Sequence, residues 1–124
     1  MDTHRNPVLF TAGVFGFLGV ALGAFGAHAL RGHLTDATLG WWQTAVEYHL
    51  VHAAALLVLA FVPRNRLAVW AFGVGITLFS GSLYFMALTG VTALGVVTPV
   101  GGVAFLVGWV CLAVAGLAKK QAKK

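Results

Sequence analysis

The 124-residue chain is 60% hydrophobic and only 9% charged, with a formal net charge of +5. A soluble domain carries about 25% charged residues, so too little polar surface exists here to cover a globule, and lipid must be part of the solvent. Apart from Arg31, Asp36 and Glu47, the charges sit at the ends and in one short turn, with no basic stripe and no interleaved aromatics, which argues against nucleic-acid binding. A single cysteine, Cys111, rules out an intrachain disulfide.

A bilayer core of about 30 Å takes roughly 20 apolar residues in helical form. Four such runs occur in order: residues 7–30, 44–62, 67–88 and 96–118. They are too long and too evenly apolar for barrel strands, and only helices or closed barrels satisfy the backbone in lipid. The first run is too long for a cleavable signal peptide and continues into glycine-rich packing sequence. The expected fold is all-α: one domain, a four-helix antiparallel transmembrane bundle, followed by a basic cytoplasmic tail over residues 119–124.

Orientation follows from lysine and arginine placement. With the N-terminus cytoplasmic, Arg5, Arg64, Arg66, Lys119, Lys120, Lys123 and Lys124 lie inside, and only Arg31 lies outside. The expectation is therefore N-in and C-in, with Trp41 and Trp42 anchoring the outer interface. The turn "PRNR" (63–66) makes helices two and three antiparallel neighbours. Thr35 or Asp36 could cap a longer second helix. Thr98-Pro99 reads as an N-cap followed by proline, against a helix that starts nearer Thr92 and kinks at Pro99.

Helix one holds Gly13, Gly16, Gly19, Gly23 and Gly26. The Gly19/Gly23 pair is GxxxG, and small residues let helices approach closely in lipid. Gly19, Gly23 and Gly26, with Gly101 and Gly102 of helix four, are expected to serve helix packing. A homodimer face is the competing use.

Ionisable groups at membrane depth are costly and point to function or to paired burial. Counting 1.5 Å per residue inward from Trp42, Glu47 lies about 8 Å, His49 about 10 Å and His52 about 15 Å below the outer interface. His28 lies near the outer end of helix one. Ser80, Ser82 and Tyr84 fall in the outer half of helix three, and Thr98 opens helix four on the same side. One polar layer, His28, Glu47, His52, Ser80, Ser82 and Tyr84, is thus expected in the outer half of the bundle. On a helical wheel Glu47 lies about 160° from His49 and about 140° from His52. Its partner should therefore come from another helix. His49 is read as facing the headgroups, Trp109 as a packing residue, and His4 and His33 as solvated.

The segments "LGAFGAHAL" (22–30), "TAVEYHLVHA" (44–53), "LFSGSLYFMALTG" (78–90) and "TPVGGVAFLVGW" (98–109) resemble the bacterial domain-of-unknown-function 423 family. These are small multi-pass inner-membrane proteins, similar to eukaryotic transmembrane protein 256. The resemblance implies a helical membrane fold and an inner-membrane location, and no particular activity.

No nucleophile–base arrangement, phosphate loop or dinucleotide fingerprint is present, so a non-enzymatic protein without cofactor is expected. Its polar layer would organise the bundle and a partner subunit, with lipid, a second copy or another membrane protein as partner. The alternative is a small proton- or cation-coupled transporter or channel. In it Glu47 would bind the ion, and His28, His52, Ser80, Ser82, Tyr84 and Thr98 would line the path. A third reading places a metal on His28, Glu47 and His52, or a haem between His28 and His52.

Overall fold

The computed structural model describes residues 4–117, so the basic tail expected over 119–124 lies outside the described residues. Those residues are helical, with no strand among them. The elements are α1 (Pro7–His28), α2 (Asp36–Leu59), α3 (Arg66–Thr89) and α4 (Thr98–Gly116). Three helical segments are long and apolar enough to cross a membrane: α1, α3, and α4 together with the turn before it. The second helix is as long, at 24 residues, but Gln43, Glu47, His49 and His52 make it more polar.

Each helix starts and stops for a local reason. The Asn6 side chain accepts from Leu9 N–H, and Pro7 opens α1 where no helical N–H is needed. Thr35 caps α2 by accepting from Thr38 N–H, so α2 begins eight residues before the apolar run at 44. The helix α3 ends at Gly90, whose φ of 73° is left-handed, with its N–H on Met86 O. Before α4 the chain makes a short 3-10 turn, Ala93–Val96. Thr98 then lies inside the first turn of α4 rather than capping it. Its hydroxyl is taken by Ser82 and by Leu94 O.

The helices pack in series: α1 on α2, α2 on α3, and α3 on α4. Packing between α3 and α4 is an exchange of rings and glycines. Phe72 lies over Gly108, Phe105 over Gly75, and Phe79 over Gly101, so that a Cβ on any of the three glycines would collide with its partner. The Phe72 and Phe105 rings fill the notches at Gly108 and Gly75, and the Phe79 backbone lies against Gly101, which maximises dispersion contact where lipid supplies no hydrophobic drive. The central core joins Ala12, Ala55, Leu56, Leu59, Ala68, Phe72, Ile76 and Phe105.

One turn of α3 is irregular. Residues Ile76–Ser80 form a π turn between α-helical Arg66–Gly75 and Gly81–Thr89. Such turns rotate the residues on either side relative to each other and are frequent at functional sites. Here the wide turn carries Phe79 to Gly101 on one side and Ser80 to α2 on the other.

Candidate functional site

The buried polar groups centre on α2. His49 and His52, 3% and 4% exposed, lie three residues apart and face different neighbours. The Nε2 atom of His49 is 2.8 Å from Phe15 O of α1, and Nδ1 is 2.9 Å from the Tyr84 hydroxyl of α3. A carbonyl only accepts, so Nε2 carries the hydrogen and Nδ1 accepts from the Tyr84 O–H. His52 has the opposite tautomer. Its Nδ1–H donates to Tyr48 O at 2.7 Å, and its Nε2 accepts from the Trp109 indole N–H of α4 at 3.0 Å. The His52 ring stacks on Phe105 with centroids 3.6 Å apart and planes at 11°.

Two hydroxyls extend the cluster. Ser80, fully buried, donates to Ala45 O of α2 at 2.7 Å. Ser82 bonds to Thr98 and to Phe79 O, tying α3 to the start of α4. Every buried donor of this cluster has a protein partner, as polar groups in lipid require.

A repeat along the α1–α2 seam explains how His49 reaches a helix carbonyl. Trp42 N–H donates to Leu22 O at 2.9 Å, as His49 does to Phe15 O. The donors are seven residues apart, and so are the acceptors. Four residues beyond each acceptor stands a glycine, Gly19 or Gly26. A Cβ at Gly19 would lie 2.7 Å from Leu50 Cδ2 and 3.2 Å from His49 Cδ2, and one at Gly26 would overlap the Trp42 indole. The glycines clear the approach to the carbonyls one turn earlier. At the other end of the seam the Asn6 amide donates to Ala60 O at 3.0 Å.

The structure therefore distributes the anticipated residues unevenly. His52, Ser80, Ser82, Tyr84 and Thr98 lie in the buried cluster. His28 and Glu47 do not: both are exposed, outside the cluster in which the sequence reading placed them. The reason is angular, because turning His49 and His52 inward turns Glu47 outward on the same helix. His49, read as facing headgroups, is instead a centre of the network. Trp42 is buried at 2% exposure, between Leu22 O of α1 and the Tyr84 ring of α3, and Trp109 is both a packing residue and a donor. His4 and His33 are exposed. Gly23 meets Val46 of α2, and Gly102 lies at ordinary contact distance from the Phe79 ring. The seven-residue spacing of Gly19/Gly26 opposite Trp42/His49 was the sequence signal that could have located the seam.

Among the described residues no three His, Cys, Asp or Glu side chains gather to hold a metal. Both nitrogens of His52 are engaged and His28 is exposed elsewhere, so the pair does not form an axial haem site.

Comparison with known proteins gives the family. The profile of a protein family of unknown function, DUF423, matches residues 22–102. The UPF0382 inner membrane protein YgdD of Escherichia coli K12 is 42% identical over 125 residues, covering 96% of this chain and 95% of its own. The UPF0382 membrane protein YwdK of Bacillus subtilis is 44% identical over 107 residues, covering 81% and 87%. A UPF0382 membrane protein of Staphylococcus epidermidis is 43% identical over 105 residues, covering 81% and 86%. No solved structure matches.

Proposed function

This chain belongs to the DUF423 family, whose relatives are named UPF0382 membrane proteins, and from that premise we propose a four-pass, non-enzymatic protein of the bacterial inner membrane. Its buried polar cluster is a static clamp that fixes the helix order and leaves the outward faces of α1 and α4 for lipid and a membrane partner. Both termini are cytoplasmic. The inner-membrane location rests on the name of the Escherichia coli relative. The fourth span is α2, which packs against α1 and α3 along its length and turns both of its histidines toward other helices. The orientation rests on the seven-to-one partition of lysine and arginine. A fluorescent-protein fusion to the C-terminus is expected to glow, and an alkaline phosphatase fusion at the same point to be inactive. The reverse pair of results would overturn the orientation.

The observation that carries the clamp reading is that all four ring nitrogens of His49 and His52 are hydrogen-bonded to protein. A second proton on His52 would face the Trp109 N–H, donor against donor, so protonation must break that contact. A proton carrier needs a group that gains and loses its proton without losing its place. Five surface grooves among the described residues are lined by other side chains, none of them His49, His52, Ser80 or Tyr84.

The test is proton flux into vesicles that hold the purified protein and a pH-sensitive dye. An imposed pH gradient is expected to decay at the protein-free rate for wild type and for Glu47→Gln alike. Glu47→Gln is also expected to change thermal stability by no more than about 0.5 kcal/mol, as for an exposed side chain outside any network. Faster decay with wild type, lost in Glu47→Gln, would replace the clamp with the transporter reading.

A further inference from the structure

We infer that the groove between α1 and α3 is a binding site for one anionic phospholipid, with the acyl chain along the groove and the phosphate at Arg64, Asn65 and Arg66. The helix α1 packs on α2, and α3 packs on both α2 and α4, which leaves a trough between α1 and α3. The trough is about 420 Å³ and is lined by Phe15, Val69, Trp70, Gly73, Val74 and Leu78, among others. It continues through Thr11, Val69 and Trp70 into a second hollow of about 900 Å³. There the walls change from Val8 and Leu59 to Arg64, Asn65 and Arg66.

Three features of the mouth favour an anion. Arg64 and Arg66 are exposed there, and neither Asp36 nor Glu47, the carboxylates among the described residues, lines it. The Asn65 Nδ2 atom is buried without a hydrogen-bond partner, and the Asn65 side chain does not cap α3. Arg64 has a φ of 61°, the one non-glycine residue with positive φ among those described. Such positions are costly and collect where a ligand or a switch uses them.

Length decides between a lipid and a free anion. From Arg66 to Leu78 the groove runs about 18 Å along α3 at 1.5 Å per residue. One leaflet of hydrocarbon is about 15 Å, half of a core of about 30 Å. The groove therefore begins at a basic membrane interface and ends near the midplane, the span of one acyl chain. Trp70, 71% exposed, stands in its wall and reports on occupancy.

The experiment reconstitutes the full chain into phosphatidylcholine vesicles with a low fraction of phosphatidylglycerol brominated on its acyl chains. Quenching of Trp70 is read as the difference between wild type and Trp70→Phe. Wild type is expected to enrich phosphatidylglycerol over phosphatidylcholine about 30-fold, the factor that roughly 1 kcal/mol for each of two arginines supplies. Arg64→Gln with Arg66→Gln should bring the enrichment to about one. A Cβ at Gly73 meets nothing within 4 Å and Gly73 lines the groove, so Gly73→Leu should occupy the groove and lower the enrichment with both arginines in place, its folding checked by an unchanged unfolding midpoint in detergent. Glycerol phosphate in solution should not compete. Wild-type enrichment near one, enrichment that survives the double arginine change or Gly73→Leu, or displacement by glycerol phosphate would each overturn the assignment.

Discussion

Alanine at Gly101 is expected to destabilise the protein while alanine at the neighbouring Gly102 stabilises it. A Cβ on Gly101 would collide with the backbone N of Phe79 and crowd its Cα and Cβ. Backbone cannot swing aside as a side-chain end can, so α3 and α4 must separate along the seam where Phe72, Gly75 and Phe79 exchange with Gly108, Phe105 and Gly101. Overpacking of this kind costs about 1–3 kcal/mol, and a rigid obstacle belongs in the upper half of that range. Better helix propensity returns under about 1 kcal/mol, so the net loss is about 2 kcal/mol. At Gly102 the nearest atom would be Phe79 Cδ2 at 3.8 Å, an ordinary contact. Only the propensity gain remains there, about 0.5–1 kcal/mol. Unfolding by denaturing detergent, run on both variants beside wild type, reads the two signs. Equal effects at the two positions would sink the account of the α3–α4 seam.

Removing the His49 imidazole should be costly, and removing its partner as well should recover most of the loss. His49→Leu leaves the Tyr84 hydroxyl buried between helices without the nitrogen to which it donates. An orphaned buried donor costs about 1–3 kcal/mol. The Phe15 carbonyl suffers less, because it is a helix-interior carbonyl with a bond of its own turn to fall back on. Tyr84→Phe alone removes a donor from an imidazole that retains its bond to Phe15 O, at about 1 kcal/mol. In His49→Leu with Tyr84→Phe no unpaired group remains between them, so the double variant should be more stable than His49→Leu alone. A double-mutant cycle measured by the same unfolding titration gives the coupling, expected at about 1–2 kcal/mol. Additive losses would mean that the two side chains do not act as a pair.

Much of this organisation was legible beforehand. Helical class, the four apolar stretches and the family follow from composition, run length and four ordered motifs, because hydrocarbon admits few backbone solutions. The residue types of the polar cluster were legible too, since Ser80, Ser82, Tyr84, His52 and Thr98 are the groups an apolar helix would not otherwise carry. The wheel already set Glu47 on a different side of α2 from the two histidines. Which side faced inward was not readable, because α2 has polar groups around much of its circumference and only its neighbours choose among them.

The sequence by itself determined the class of solvent, the number of helices and, α2 apart, their approximate limits, and the stock of polar and small residues. These depend on local composition and on distances along one chain. The tertiary structure alone decided that His49 and Trp42 reach carbonyls of α1 past Gly19 and Gly26, that Glu47 and His28 remain outside, and that a π turn aims Ser80 at α2. Each of these depends on the angle and register at which two helices meet. A hydrogen bond to a neighbouring backbone requires positions good to a few tenths of an ångström, and a helical period leaves whole turns undetermined.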